Sequence, residues 1–182
     1  INSKEERKIK FNKMIEKKSN FVGVGGYQAS ANAKKYVLDV LESGRLSYGP
    51  YISKFEGEFS RQHDSQFGIM CNSGTSALHI ALQASKIHHK WADGDEVILP
   101  ATTFIATANI ILHNNLVPVF VDVESDFYGI DPTLIEEKIT EKTRCIIPVH
   151  LFGMACNMDE IMRIANKYDL RVIEDSCETM FA

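Results

Sequence analysis

The sequence predicts an open α/β fold, in which a mainly parallel sheet is covered by helices on both faces. From residue 67 onward, short apolar runs alternate with amphipathic stretches of about ten to fifteen residues. The runs are apolar at consecutive positions, which is typical of strands buried on both faces. Connections of helix length between such runs favour parallel strands. These observations together indicate strands and helices that alternate along the chain.

A charged leader at residues 1–30 precedes the predicted domain, which occupies residues 31–182. Basic residues outnumber acidic ones among its first eighteen positions. We interpret them as one solvated face of a helix, with a nucleic-acid-binding arm as the less favoured alternative. The glycine-rich stretch GVGG at 23–26 is too short for a phosphate loop and is read as a linker.

Two helices are predicted between the leader and the alternating region. Residues 31–44 have apolar side chains at helical spacing and end at Gly44, where a C-terminal cap is expected. The next stretch, ISKFEGEFSRQHD, again has helical spacing, with Phe55 and Phe59 on one face.

Five strands and four intervening helices follow. The predicted strands are FGIMC (67–71), EVILP (96–100), VPVFVDV (117–123), RCIIPV (144–149) and RVIED (171–175). The predicted helices between them are SALHIALQAS, FIATANIILHNN, PTLIEEKIT and NMDEIMRIANKYDL.

The bulk composition fits one core of ordinary size. The chain has 182 residues, 45% of them hydrophobic and 24% charged. A net charge of −4 argues against nucleic acid or an anionic membrane as a partner. No apolar run reaches the roughly 18 residues of a membrane span, and the four cysteines form no CxxC pair. We therefore expect a cytoplasmic protein with reduced thiols and no metal site.

In open α/β sheets, ligands bind beyond the carboxyl ends of the strands. After the first predicted strand, Ser73, Gly74 and Thr75 stand at the turn into a helix. Unpaired N–H groups, a positive dipole end and a glycine at such a turn suit a phosphate group. Ordinary helix capping by Ser73 or Thr75 is the alternative, and it is the better interpretation if the stretch is taken alone.

Two further strand ends carry candidate residues. Phe104 follows the second predicted strand (96–100) and could form one wall of a slot for a flat ring. Taken alone, it is better interpreted as a core side chain. Asp175 closes the fifth run, where a carboxylate can pair with a protonated ring nitrogen, bind a ribose hydroxyl or hold a metal. Glu174 alternates to the other side and is read as a surface acid. His150 also ends a strand, with no role assigned.

A phosphate cup, an aromatic wall and a carboxylate together suit a flat, phosphorylated, nitrogen-containing heterocycle. Pyridoxal 5′-phosphate fits that description, because a carboxylate that keeps the pyridine nitrogen protonated makes the ring an electron sink. A dinucleotide-binding domain is less favoured, since no GxGxxG motif follows the first strand.

Seven blocks of the sequence resemble, in order, the DegT/DnrJ family of pyridoxal-phosphate-dependent sugar aminotransferases over residues 44–182. The blocks are GPYISKFEGEF, NSGTSALHIALQA, GDEVILPATTFIATANIIL, VPVFVDV, GIDP, PVHLFG and VIEDSCE. The resemblance implies an aspartate-aminotransferase-like large domain, a smaller C-terminal domain and a homodimer. It implies a nucleotide-linked keto-sugar as substrate and an amino acid such as glutamate as amino donor.

The resemblance also assigns residues to the cofactor. It implies that Gly74 and Thr75 bind the phosphate, that Phe104 stacks on the ring, and that Asp175 pairs with the ring nitrogen. Where the family usually has a glutamine that touches the ring hydroxyl, this sequence has Glu178. An acid there resembles the related sugar 3-dehydratases, in which histidine replaces the Schiff-base lysine. Transamination stays the first hypothesis and dehydration the second.

The family's Schiff-base lysine lies beyond the aspartate strand, and no lysine of this sequence matches that position. We therefore expect residues 31–182 to be the N-terminal part of the cofactor-binding large domain, without the C-terminal domain and inactive on its own. A non-catalytic domain of the same fold is a further alternative.

Overall fold

The structure is a computed structural model that describes residues 28–181. Most of the predicted leader, including the GVGG stretch, lies outside the described residues, as does Ala182. Backbone contacts divide the chain into two units, Ile1–Gly49 and Pro50–Ala182. No helix among the described residues combines the length and apolarity needed to cross a membrane.

The first unit contains helix α1 (Ala31–Glu42) within its described part, as predicted. The hydroxyl of Ser30 caps it by accepting a hydrogen bond from the N–H of Ala33 at 3.1 Å. Its end is closed at Ser43, whose N–H bonds back to the carbonyl of Asp39. Gly44 follows with φ +67°, a left-handed conformation that glycine adopts at low cost.

The second unit is built on a four-stranded parallel sheet with the strand order β2-β1-β3-β4. The strands are β1 (Glu96–Pro100), β2 (Val117–Val121), β3 (Thr143–Ile146) and β4 (Arg171–Val172). The helices are α2 (Pro50–Gln62), α3 (Gly74–His89), α4 (Ile105–His113) and α5 (Met158–Lys167). An isolated parallel bridge between Val149 and Asp175 extends the β3–β4 pairing toward the carboxyl ends.

Successive residues of β1 pack on opposite faces of the sheet. Val97 and Leu99 lie in a cluster with side chains of α3 and α4, such as Leu82. Ile98 lies in a second cluster with side chains of α5, such as Ile161. Because both faces are covered, the strand is apolar at every interior position, which confirms the predicted α/β class.

The first predicted strand, residues 67–71, is wrong. Within residues 28–181, no segment pairs with it, and Phe67 and Ile69 are 77% and 76% exposed. The N–H of Met70 instead donates to Oε1 of Glu56 at 2.9 Å. An apolar run becomes a strand only where a neighbour supplies the ladder hydrogen bonds.

The predicted helix PTLIEEKIT is also wrong in type. The structure has two 3₁₀ turns there, Pro132–Leu134 and Glu136–Lys138. The side chain of Asp131 accepts the N–H of Thr133 at 2.9 Å and starts the first turn. Ile135 is the fully buried residue of the segment. Leu134 and Ile139 pack against the same cluster as Ile135 while partly exposed. The i→i+3 bonds of these short turns suffice to hold the apolar residues there without an amphipathic α-helix.

Candidate functional site

The carboxyl ends of β1, β3 and β4 surround one cavity in the Pro50–Ala182 unit, with a volume of about 210 Å³. All five residues that the sequence predicts for the site line this cavity. They are Gly74, Thr75, Phe104, Asp175 and Glu178. The fold brings them together because each follows a strand end or opens the helix beside it.

The N-terminus of α3 supplies backbone donors to the cavity. Ser73 is the N-cap, and its Oγ accepts the N–H of Ser76 at 3.1 Å. The N–H groups of Gly74 and Thr75 are left without an intrahelical partner. No acidic side chain occupies the first turn of the helix itself, and the positive end of its dipole faces the cavity. The capping and the open donors therefore coexist, and this end can receive an anion.

Gly74 is in close contact with Cys177. A Cβ atom added to Gly74 would lie well inside the van der Waals contact distance from the Cys177 sulfur. The absence of a side chain therefore lets the segment after Asp175 pack directly against the start of α3.

Phe104 is the residue before α4 and its side chain is 69% exposed. The alternative that it is a core residue is wrong. The ring lies at the wall of the cavity, where a planar ligand can contact it.

Asp175 is a buried carboxylate, with 4% of the residue exposed. Its Oδ2 accepts a hydrogen bond from the hydroxyl of Thr107 at 2.8 Å, and its Oδ1 accepts the N–H of Cys177 at 3.2 Å. Its own N–H donates to the carbonyl of Pro148 at 2.9 Å. The first two contacts thus orient the carboxylate at the cavity, while the third holds its backbone.

Cys177 also lines the cavity. The pKa of its thiol is raised to about 11, first by desolvation and then by the hydrogen bond and charge of Asp175 and the charge of Glu178. The thiol is therefore neutral at physiological pH and is a weak nucleophile there.

His150 forms a further polar group in the wall. Only 4% of it is exposed. Its Nδ1 accepts the N–H of Cys156 at 3.1 Å, so the proton of the neutral ring is on Nε2, which lies 3.0 Å from Oε2 of Glu174. Glu174 is about half exposed and does not line the cavity with Asp175, in agreement with the alternation of side chains.

Glu178 reaches the neighbouring loop. Its Oε2 accepts the N–H of Phe152 at 3.2 Å, and Oγ1 of Thr179 accepts the N–H of Gly153 at 3.0 Å. The segment after Asp175 is thus tied to the loop that follows β3.

The family model of the DegT/DnrJ/EryC1/StrS aminotransferases matches residues 28–182 of the chain. The chain belongs to this aminotransferase family. The match covers the whole of the Pro50–Ala182 unit, and therefore every residue of the cavity.

The chain is similar to sugar-modifying enzymes that include aminotransferases and a dehydratase. The GDP-perosamine synthase of Caulobacter vibrioides is 38% identical over 88% of this chain and 43% of its own. The 3-oxo-glucose-6-phosphate:glutamate aminotransferase of Bacillus subtilis is 43% identical over 78% of this chain and 31% of its own. The structure of the Escherichia coli GDP-4-keto-6-deoxy-D-mannose-3-dehydratase with bound hydrated PLP has a TM-score of 0.83 and 29% identity, over 89% of this chain and 42% of its own.

The chain thus spans between 31% and 43% of the length of these DegT/DnrJ/EryC1/StrS relatives. Two residues at the site, Thr107 and Cys177, were not predicted from the sequence. The hydrogen bonds of His150 were not predicted either. Thr107 had one signal, since it lies a helical turn after Thr103 in a helix that starts at the predicted rim. Cys177 had none, because its contact with Gly74 joins segments that are distant in sequence.

Proposed function

We propose that this chain forms part of the pyridoxal 5′-phosphate site of an enzyme that transfers an amino group to a nucleotide-linked keto-sugar. The observation that carries the proposal is the buried carboxylate of Asp175 in one cavity with open helix N–H groups and an exposed aromatic ring. Family membership supports the same reading.

The donors of the cavity fit the chemical parts of this cofactor. The N–H groups of Gly74 and Thr75 suit its phosphate, and the exposed ring of Phe104 suits stacking on its pyridine. We propose that Asp175 accepts the ring N–H and so holds a proton on that nitrogen. When bound, the cofactor supplies an electron sink for negative charge that develops on carbon.

Thr107 and the N–H of Cys177 orient the carboxylate of Asp175. They bond to different oxygens, at 2.8 and 3.2 Å, so rotation of the carboxylate about its Cβ–Cγ bond breaks both contacts. We propose that this restraint aims the acceptor at the ring nitrogen before the cofactor arrives, which reduces the ordering cost of binding.

The size of the cavity restricts what these residues can hold. Its volume of about 210 Å³ lies below the roughly 300–1,000 Å³ of sites for drug-sized ligands. A nucleotide sugar is larger than a phosphorylated ring, and we propose that this cavity holds only the ring and the phosphate of the cofactor. We therefore propose that the sugar and nucleotide are bound mainly by groups outside this cavity.

The substrate and donor are proposed from the relatives. The name of the Caulobacter enzyme refers to a GDP-linked amino sugar, and that of the Bacillus enzyme refers to glutamate. We propose a nucleotide-linked keto-sugar with glutamate as donor, in the biosynthesis of cell-surface polysaccharide or of a secondary metabolite. A sugar phosphate, as in the name of the Bacillus enzyme, is the control substrate for this assignment.

No lysine lines the cavity in the described part of the chain. We propose that residues 28–181 bind the cofactor but need a lysine from elsewhere to complete amino transfer. The 182-residue chain alone should therefore show no amino transfer. A longer chain that contains these residues and spans the length of the relatives, called the full-length protein below, should show visible absorbance that borohydride abolishes.

Titration with pyridoxal phosphate tests the cofactor proposal. The full-length protein should bind at micromolar concentration, and Asp175→Asn should abolish that binding. Asp169→Asn is the matched control, because the side chain of Asp169 is 90% exposed and pairs with Arg171 away from the cavity. Unchanged affinity in Asp175→Asn would overturn the assignment. No binding in the wild type would support the alternative of a non-catalytic domain.

Dehydration is a second candidate, favoured by Glu178 and by the similarity to the E. coli dehydratase. Incubation of the full-length protein with glutamate and a nucleotide-linked keto-sugar separates the two reactions. Transamination yields an amino sugar and 2-oxoglutarate. Removal of a hydroxyl, with glutamate as the reductant, yields a deoxy keto-sugar without nitrogen, together with water, 2-oxoglutarate and ammonia. Product mass therefore decides between them.

We further propose a cytoplasmic homodimer. Exposed apolar side chains on α3 and α4 are candidates for burial against a second copy; they are Ile80, Ile87, Ile105 and Leu112. The four cysteines are free, which suits a reducing compartment. Light scattering of the full-length protein at micromolar concentration should give the mass of a dimer, and a monomer mass would contradict this.

A further inference from the structure

The loop after β3 contains a tight turn with an unusual residue. The carbonyl of Leu151 accepts the N–H of Met154 at 2.9 Å. The two central residues, Phe152 and Gly153, have φ values of +56° and +86°, which is the pattern of a type I′ turn. Glycine, asparagine and aspartate are preferred at its central positions. A bulky aromatic residue in this conformation is strained, so other contacts must hold it.

Two consecutive side chains supply such contacts. Oε2 of Glu178 accepts the N–H of Phe152 at 3.2 Å. Oγ1 of Thr179 accepts the N–H of Gly153 at 3.0 Å, while its hydroxyl donates to the carbonyl of His150 at 2.8 Å. Thr179 is buried, with 6% of the residue exposed. Both central N–H groups of the strained turn are therefore bound by the 178–179 pair.

We propose that Glu178 and Thr179 are positioning residues that hold the turn 151–154 in its left-handed conformation. The contact joins two segments that both line the cavity. His150 and Leu151 belong to the segment after β3, and Glu178 belongs to the segment after Asp175. The turn therefore sets the distance between the wall formed after β3 and the wall formed after Asp175. The expected effect of the turn on the binding of pyridoxal phosphate rests on the proposed function. The restraint of the turn by Glu178 and Thr179 does not.

The acid at position 178 has a structural role in this arrangement. The carboxylate is engaged as an acceptor for a backbone N–H, and the amide oxygen of a glutamine can accept the same bond. Glutamate at this position therefore serves the turn and does not by itself indicate dehydration.

Amide hydrogen exchange at Gly153 tests the restraint in full-length protein without added cofactor. Glu178→Ala should raise the exchange rate of this amide by about tenfold, because a hydrogen bond to a charged group is lost and the turn opens. Glu178→Gln should stay within about threefold of the wild type, since it keeps an acceptor. Glu137→Ala is the control, because Glu137 is exposed on the 3₁₀ turn Glu136–Lys138. Equal rates in the wild type and Glu178→Ala overturn the proposal.

A second substitution, Phe152→Gly, distinguishes opening of the whole turn from loss of the single hydrogen bond to Glu178. Phe152→Gly removes the strain, so the turn should persist without Glu178. In the double variant Phe152→Gly/Glu178→Ala, the amide of Gly153 should therefore be protected to within about threefold of the wild type. Exchange as fast as in Glu178→Ala alone would overturn the role of strain.

Titration with pyridoxal phosphate tests the consequence for the cavity. Glu178→Ala should weaken binding several-fold, and Phe152→Gly/Glu178→Ala should recover most of it. Recovery supports positioning through the turn, whereas equal weakness in both variants assigns Glu178 to direct contact and overturns positioning as its role. If the wild type does not bind the cofactor, the proposed function fails, while exchange at Gly153 still decides the restraint.

Discussion

The hydroxyl of Thr107 donates a hydrogen bond to Oδ2 of Asp175 at 2.8 Å, and both residues are buried. The bond joins the first turn of α4 to Asp175, which follows β4 and forms the isolated bridge with Val149. It places a hydroxyl donor behind the carboxylate that we assign to the cofactor nitrogen. A buried acceptor that loses its donor is costly, so this pair offers a sensitive test of the site.

Thr107→Val should destabilise the protein by about 1–3 kcal/mol, because it keeps the shape of the side chain but removes the donor to a buried carboxylate. It should also weaken binding of pyridoxal phosphate, since Asp175 loses one of its two orienting contacts. Urea denaturation and cofactor titration measure the two effects. Thr107→Ser is the matched control, because it retains the hydroxyl. Equal stability of the Val variant and the wild type would contradict the prediction.

Gly74→Ala should destabilise the protein by about 1–3 kcal/mol through overpacking, because the new methyl group meets the sulfur of Cys177. In a Cys177→Ala background the same substitution should be neutral or slightly stabilising, since alanine favours a helix more than glycine does. Denaturation of the four proteins completes a double-mutant cycle. Additive effects would show that the two residues do not interact.

Cys177 should react slowly with iodoacetamide at neutral pH and faster as the pH approaches 11. Its pKa in the folded protein, about 11, lies above the ordinary value of 9.0. The fold therefore favours the neutral thiol, and the resulting stability is fully present below pH 9 and is lost as the pH rises through 11. Alkylation rates measured peptide by peptide should give a midpoint near 11 in the native protein and near 9 in urea.

Asp175→Asn provides the control for this titration. It removes the carboxylate charge beside the thiol, so the midpoint for Cys177 should move down. An unchanged midpoint in Asp175→Asn would show that Asp175 does not contribute to the raised pKa of Cys177.

His150→Phe should destabilise the protein by about 1–3 kcal/mol, because the buried N–H of Cys156 loses its acceptor. Glu174→Gln should cost less than about 1 kcal/mol, because the half-exposed partner still accepts from Nε2. Denaturation midpoints give both values. Nitrogen NMR of the imidazole should show the proton on Nε2, and a proton on Nδ1 would contradict the assignment.

The sequence by itself determined the α/β class and most of its elements. Consecutive apolar positions in EVILP predicted β1 (Glu96–Pro100) with its observed bounds, because both faces of that strand are covered. Helix α1 was predicted from the helical spacing of its apolar residues and from Gly44 after it, since periodicity and capping depend on neighbouring residues. Candidate residues at strand ends were also predictable, because the carboxyl ends of parallel strands meet at one edge.

Other features were decided only by the tertiary structure. Residues 67–71 have the composition of a strand, but no neighbour among residues 28–181 supplies the ladder. The exposure of Phe104, the partner of Asp175 and the contact between Gly74 and Cys177 all depend on where distant segments come to lie. Periodicity and capping are local properties that a sequence shows directly. A hydrogen bond or a van der Waals contact between distant residues depends on packing, so only the folded chain defines it.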